Sequence, residues 1–297
     1  MSSATLEATD HRAGTSQVSL GIYEKALRWT ADWDELFADV RRAGFSFVDI
    51  SVDESPERKS RLHWSKQTRQ HIREAAARQG TQLGGLCLSI HRALGPGSAD
   101  PTVRAEADRI FDQGIELCHD LGIPVLQVAG YYAYYEQADP GQRSRYVESL
   151  RRAIPKAAQS GVLLGIENVD GNDVTSISRG MNIVREIDSP WLQMYPDVGN
   201  IAEQQLDEIE ELRAGEGHML AIHVKDVRVG EPRRVAMGTG IADFPKAFAE
   251  LARQGWSGRI MIEMWNDNAP DSVERCIEAR RIVEQMLTDA GVGIVTD

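Results

Sequence analysis

No apolar run in this sequence approaches the roughly 18 residues that a membrane helix needs, so no spanning helix is expected. Cysteine is scarce. Cys87, Cys118 and Cys276 are odd in number and far apart, which argues against a disulfide framework. They read as small buried apolar residues in a reducing cytoplasm. Positive charge is also short: 33 Lys and Arg face 45 Asp and Glu, a net charge of −12. That balance excludes the broad basic face that binds nucleic acid, although a few local cations still suit a small anionic substrate. Residues 1–16, MSSATLEATDHRAGTS, lack an apolar core and read as a flexible polar leader rather than a signal peptide. No Pro- or Ser-rich linker divides the remainder, and no G-x-G-x-x-G follows the first apolar run.

The chain has 297 residues, 42% hydrophobic and 26% charged, an ordinary globular composition. Eight apolar, β-branched runs stand out: 18–24, 47–52, 83–89, 125–130, 163–168, 192–198, 221–226 and 259–265. They read as continuous apolar segments, as parallel strands buried on both faces should. Helical periods lie between them. Val147, Leu150, Ile154 and Ala157 form one stripe, and Leu36, Val40 and Ala43 form another. Glycine closes five helical stretches just before a strand, at Gly44, Gly80, Gly122, Gly161 and Gly255, where a left-handed residue ends a helix cheaply. Repeated helix–glycine–strand units predict an α/β fold. Eight of them predict a single (β/α)8 TIM barrel over residues 17–290 with a tail at 291–297, rather than an open doubly wound sheet.

The ends of the last four strands carry ionisable groups. LLGIEN ends on Glu167, LQMYPDV on Asp197, AIHVKD holds His223, and RIMIEMW holds Glu263. Any one alone is unremarkable, since an acid at a strand end often caps the next helix. In a parallel barrel, however, strand C-termini converge on one mouth, where active sites of this fold lie. Four ionisable groups crowded there would repel and be poorly solvated, and a divalent cation relieves both costs. Three carboxylates and an imidazole suit Mn2+, Mg2+, Co2+ or Zn2+. Glu167 and Glu263 would flank a chelated substrate, one removing a proton from a carbon and the other returning it to the opposite face. That arrangement predicts epimerisation or aldose–ketose isomerisation through an enediolate, with Asp197 and His223 as ligands only.

The strings GIYEKAL (21–27), ISVDES (50–55), CLSIHR (87–92), AGYYAYYE (129–136), YPDVGN (195–200), HVKD (223–226) and IEMW (262–265) together resemble the L-ribulose/L-xylulose 5-phosphate 3-epimerases. These belong to the xylose-isomerase-like TIM-barrel superfamily. The resemblance implies a cytoplasmic enzyme of carbohydrate metabolism that inverts C3 of a ketose 5-phosphate, in pentose or ascorbate catabolism. It implies a metal site at Glu167, Asp197, His223 and Glu263, proton transfer by Glu167 and Glu263, and a homodimer. Three residues after Asp197, where many wider-superfamily members carry His, this chain has Asn200, as in the phosphate-epimerase branch.

For the phosphate, the first three strand ends offer Lys25, Ser51, Arg61, Ser89, His91 and Arg92, a set of hydroxyls and cations suited to a dianion. Asn200 and Lys225 join them as substrate-binding candidates. A second candidate is the MGTGIADF loop (237–244), although Gly238 and Gly240 can simply form its turn. Tyr131, Tyr132, Tyr134 and Tyr135 are expected to line the sugar site, cover an oligomer interface or pack their own long loop, and Trp265 to form one wall of the pocket. The rival activities are a hexulose 6-phosphate isomerase and an unphosphorylated ketose 3-epimerase. An endonuclease-IV-like repair enzyme is disfavoured by seven histidines and the acidic balance. A non-catalytic sugar-binding barrel is disfavoured because both paired glutamates are present.

Overall fold

The computed structural model describes residues 16–295, so the expected leader lies outside the described residues apart from Ser16. Its strands are β1 (Gln17–Tyr23), β2 (Phe47–Ser51), β3 (Gln82–Cys87), β4 (Val125–Ala129), β5 (Leu163–Glu167), β6 (Leu192–Met194), β7 (Ala221–Val224) and β8 (Gly258–Ile262). All pair in parallel, in the order β6-β5-β4-β3-β2-β1-β8-β7. The parallel bridges Met194–Met219 and Asp197–His223 join β6 to β7. Helices alternate with the strands on the outside, which gives the expected α/β (β/α)8 barrel.

The helix boundaries follow local chemistry. Asp32, Ser65, Asp100 and Asp243 accept backbone N–H groups at helix starts. At the other ends, Gly44, Gly80, Gly122, Gly161 and Gly255 all have positive φ, between 63° and 86°. In the helix Gln142–Ser160 the buried stripe includes Val147, Leu150 and Ala157, with Ile154 half-buried at its edge. Among the described residues no helix is long and apolar enough to cross a membrane, and Cys87, Cys118 and Cys276 are free and buried.

The strands alternate more strictly than their composition suggests. Val48, Ile50, Leu126, Val128, Leu164, Ile166, Ile222, Val224, Ile260 and Ile262 belong to the main core, which packs the strands against the helices. Their alternates face the barrel axis: Asp49, Gln127, Gly165, Glu167, His223, Met261 and then Glu263. The pleat therefore aims Glu167, His223 and Glu263 inward. Truncating one of the fully buried core residues to alanine would cost roughly 2–5 kcal/mol.

One expectation needs correction. The run 192–198 is not one strand: β6 stops at Met194 because Pro196 has no N–H to continue the ladder. Of the tail expected at 291–297, the described part returns to the barrel. Gly293–Ile294 forms a short strand, β9, parallel to β1, with Gly293 N–H donating to Ser16 O at 2.8 Å and Val295 N–H to Val18 O at 2.8 Å.

Candidate active site

Glu167 ends β5, while Asp197, His223 and Glu263 reach the same place from β6, β7 and β8. One ligand atom from each of the four lies within 4.8 Å of the others, and all four residues are buried or nearly so. Asp197 occupies the point where β6 gives out. A reciprocal pair with Asn168 replaces the lost ladder there: Asp197 N–H donates to Asn168 Oδ1 and Asn168 Nδ2 to Asp197 O, both at 2.9 Å. The Asp197 carboxylate also caps the helix Val198–Glu203, accepting Asn200 N–H at 3.1 Å and Asn200 Nδ2 at 3.0 Å. Capping and site duty thus coexist in one residue.

Charge balance in the cluster is tight. His223 Nδ1 meets Glu167 Oε1 at 2.7 Å, and Gln127 Nε2 donates to the other Glu167 oxygen. Lys225 Nζ lies 2.8 Å from Asp197 and 3.3 Å from Glu263. Burial, reinforced by Glu263 and Glu167 against the pull of Lys225, pushes the Asp197 carboxyl up to about 7. Burial alone favours a neutral His223, yet Glu167, Glu263 and Asp197 outweigh it and raise the ring to about 9. Burial likewise opposes the charge on Lys225, but Asp197 and Glu263 hold its proton firmly. Glu263 stays below the usual carboxylate range, because Lys225 and His223 outweigh its burial. Acid and imidazole holding protons together is the signature of too much negative charge in one place. Three carboxylates and one imidazole with their ligand atoms this close together fit a divalent cation.

Above the cluster opens a cavity of about 340 Å3. Of the expected substrate residues it brings together Lys25, Ser89, Arg92, Asn200 and Lys225. Lys25 pairs with Asp53 at 2.6 Å, and Arg92 lies 4.2 Å from the centre of the Tyr134 ring. Trp265 and Tyr131 form walls. Sequence reasoning missed Arg233, which lines the cavity and holds Asp170 through two bonds of 3.1 Å, while Tyr131 donates to the same carboxylate. Nothing in EPRRV marks that arginine apart from an ordinary solvated loop charge.

Three phosphate candidates, Ser51, Arg61 and His91, do not line this cavity. Arg61 is 1% exposed and grips Glu24 with bonds of 2.6 and 2.8 Å; Ser51 donates its N–H and hydroxyl to the same carboxylate. Both are committed to a buried cluster around the Glu24 carboxylate, 27 to 37 residues away along the chain. His91 is fully buried, with Nε2 3.1 Å from Ala107 O and its ring against Phe111, and burial depresses it to about 4. It faces the helix Pro101–Leu121 rather than the cavity. In the 237–244 loop, Gly240 N–H is already donated to Asp226 at 2.8 Å. Arg61→Met should therefore strand the Glu24 charge and cost ~3–5 kcal/mol in denaturant unfolding, with KM little changed. A raised KM at unchanged stability would return Arg61 to the substrate site.

Comparison with known proteins agrees with this geometry. The xylose isomerase-like TIM barrel family model matches residues 37–286. The L-ribulose-5-phosphate 3-epimerase UlaE of Shigella sonnei is 38% identical over 277 residues, 93% of this chain and 98% of that protein. Its namesake from Escherichia coli O157:H7 is 38% identical over 94% of this chain and 98% of its own length. Among solved structures, a D-psicose 3-epimerase from Clostridium cellulolyticum H10 aligns with a TM-score of 0.78 at 17% identity, covering 91% of this chain and 99% of its own. An L-ribulose 3-epimerase aligns with a TM-score of 0.78 at 19% identity, covering 92% and 95%. These two share the fold. The chain is a sugar epimerase, an isomerase acting on carbohydrates, and belongs to the L-ribulose-5-phosphate 3-epimerase family of xylose isomerase-like TIM barrels.

Proposed function

We propose that this chain is a divalent-metal-dependent epimerase that interconverts L-ribulose 5-phosphate and L-xylulose 5-phosphate by inversion at C3. The observation that carries the reading is the convergence of Glu167, Asp197, His223 and Glu263, with two glutamates from strands three places apart around the ring. The relatives at 38% identity are L-ribulose-5-phosphate 3-epimerases, which supports the same substrate.

Glu167, Asp197, His223 and Glu263 would hold the cation, which supplies Lewis acidity that lowers the cost of negative charge on the sugar oxygens. The proton chemistry belongs to the glutamates. One carboxylate takes the proton from C3, and the C–H electron pair moves into the C2 carbonyl to give a 2,3-enediolate. The other carboxylate delivers a proton to the opposite face of C3, and the carbonyl re-forms. In the reverse direction the two exchange roles, so both must reach C3. Gln127 holds the Glu167 carboxylate from behind, and Lys225 sets a positive charge between Asp197 and Glu263. Trp265 and Tyr131 shield the reacting carbon from bulk water.

The phosphate belongs with the cations at the cavity rim. Lys25, Arg92, Arg233 and Arg234 line it beside Asp53, Glu54 and Asp170, and Arg92 has no carboxylate partner among the described residues, which leaves its charge for a dianion. Lys25→Ala and Arg92→Ala should each raise KM for L-ribulose 5-phosphate about tenfold to a hundredfold while kcat falls little, on the strength of one charged hydrogen bond. The same assays with free L-ribulose should show a poor substrate that neither variant makes poorer. Equal turnover of the free sugar by the unaltered enzyme would favour an unphosphorylated ketose as substrate.

A further inference from the structure

Asp49, on β2, is a carboxylate inside the barrel that the reaction leaves unused. It is fully buried. Its Oδ2 accepts the Tyr195 hydroxyl at 2.7 Å, whereas its Oδ1 is buried without a partner. The space it fills is cut for it by the glycine pair of β3. A Cβ at Gly84 would come within 2.6 Å of Oδ1, and one at Gly85 within 2.5 Å of Oδ2. A buried carboxylate oxygen is costly unless something donates to it.

A second unpartnered atom is close by. His223 Nδ1 faces Glu167 Oε1 at 2.7 Å, but Nε2 is buried with no partner. A ring nitrogen of His223, a carboxylate oxygen of Asp49 and the sulfur of Cys87 all lie within 4.8 Å of one another. Tyr195 links the two: its ring packs against the imidazole at 4.3 Å between centroids while its hydroxyl holds Asp49.

We propose that Asp49, steadied by Tyr195 and seated against Gly84 and Gly85, is a positioning residue that receives the Nε2–H of His223 and so presents Nδ1 to the metal. The inference rests on reading Glu167, Asp197, His223 and Glu263 as a metal site. A ligating imidazole must be neutral and offer one nitrogen lone pair. A carboxylate on the far nitrogen fixes that tautomer, sets the ring plane and makes the near nitrogen a better donor; loss of such a partner typically weakens metal binding about 10- to 100-fold. A mid-strand acid and a double glycine thereby acquire one explanation.

The test uses the full chain loaded with Zn2+, which is diamagnetic. Three quantities are measured: Zn2+ affinity by chelator competition, ions bound per chain, and the proton–nitrogen NMR spectrum of histidine-labelled protein. The unaltered protein should bind one ion per chain, with Zn2+ on His223 Nδ1 and a slowly exchanging proton on Nε2. Asp49→Leu should weaken binding about 10- to 100-fold and release that proton to rapid exchange. Tyr195→Phe, which removes a single oxygen, should act in the same direction more weakly. If Asp49→Leu does not fold, the unaltered protein's spectrum and Tyr195→Phe decide. The proposal is overturned by Zn2+ on Nε2 or by unchanged affinity in the folded variants. It is equally overturned by two ions per chain with one lost in Asp49→Leu, which would make Asp49, Cys87 and His223 a separate cation site. Absence of any Zn2+ binding by the unaltered protein would instead refute the metal reading itself.

Discussion

Glu167→Gln and Glu263→Gln should each abolish epimerisation in both directions while leaving the fold intact. Glutamine keeps the size and one acceptor oxygen but can neither take nor deliver a proton at neutral pH. Each direction of reaction uses one glutamate as base and the other as acid, so losing either stops both. General acid–base catalysis alone is worth about 10²–10⁴-fold, and both residues are also candidate metal ligands, so kcat should fall by about 10³-fold or more. Stability should not fall with it. Glu263 and Glu167 both add to the repulsion that pushes Asp197 up to about 7, so neutralising either relieves a crowded pocket. Circular dichroism and thermal unfolding check the fold, and a coupled assay from each epimer checks the chemistry. Turnover near that of the unaltered enzyme in either variant would show that the proton chemistry lies elsewhere.

Removing divalent metal should be as damaging as removing a glutamate. After exhaustive chelation, turnover should drop below about a hundredth of its starting value, since Lewis-acid stabilisation of the developing oxyanion contributes several kcal/mol. Mn2+, Co2+, Mg2+ or Zn2+ should restore it to different extents, and the ranking identifies the working ion. The same titration should raise Tm, because a ligand that binds only the folded state stabilises it by about 2.7 kcal/mol at a hundred times its Kd. Full activity in a metal-free sample would be incompatible with the four-residue centre.

The strand-end chemistry was legible because it follows from local rules. A pleat of period two places Glu167, His223 and Glu263 on the inner face whatever the rest of the chain does. The five glycines end helices for reasons held within a few residues, and all five took the positive φ expected of them. What the sequence hid is what depends on a partner far along the chain. Arg61 reads as a phosphate ligand until Glu24, 37 residues away, is seen to occupy it. His91 has the right chemistry on the right loop, but its ring turns inward to Ala107 and Phe111. Arg233 sits on a loop whose course over the cavity is set by its pairing with Asp170, 63 residues earlier. Asp49 did leave a trace, an acid inside an apolar strand and a paired glycine in the next, although only the folded barrel brings them to His223.

The most direct measurement is proton NMR of L-ribulose 5-phosphate incubated with the enzyme in D2O, with and without chelator. Deuterium should enter at C3 alone as L-xylulose 5-phosphate accumulates, and should stop entering once the metal is withdrawn. Label at C1, or exchange at C3 that persists at full rate in the chelated sample, would contradict a two-carboxylate, metal-assisted inversion at that carbon.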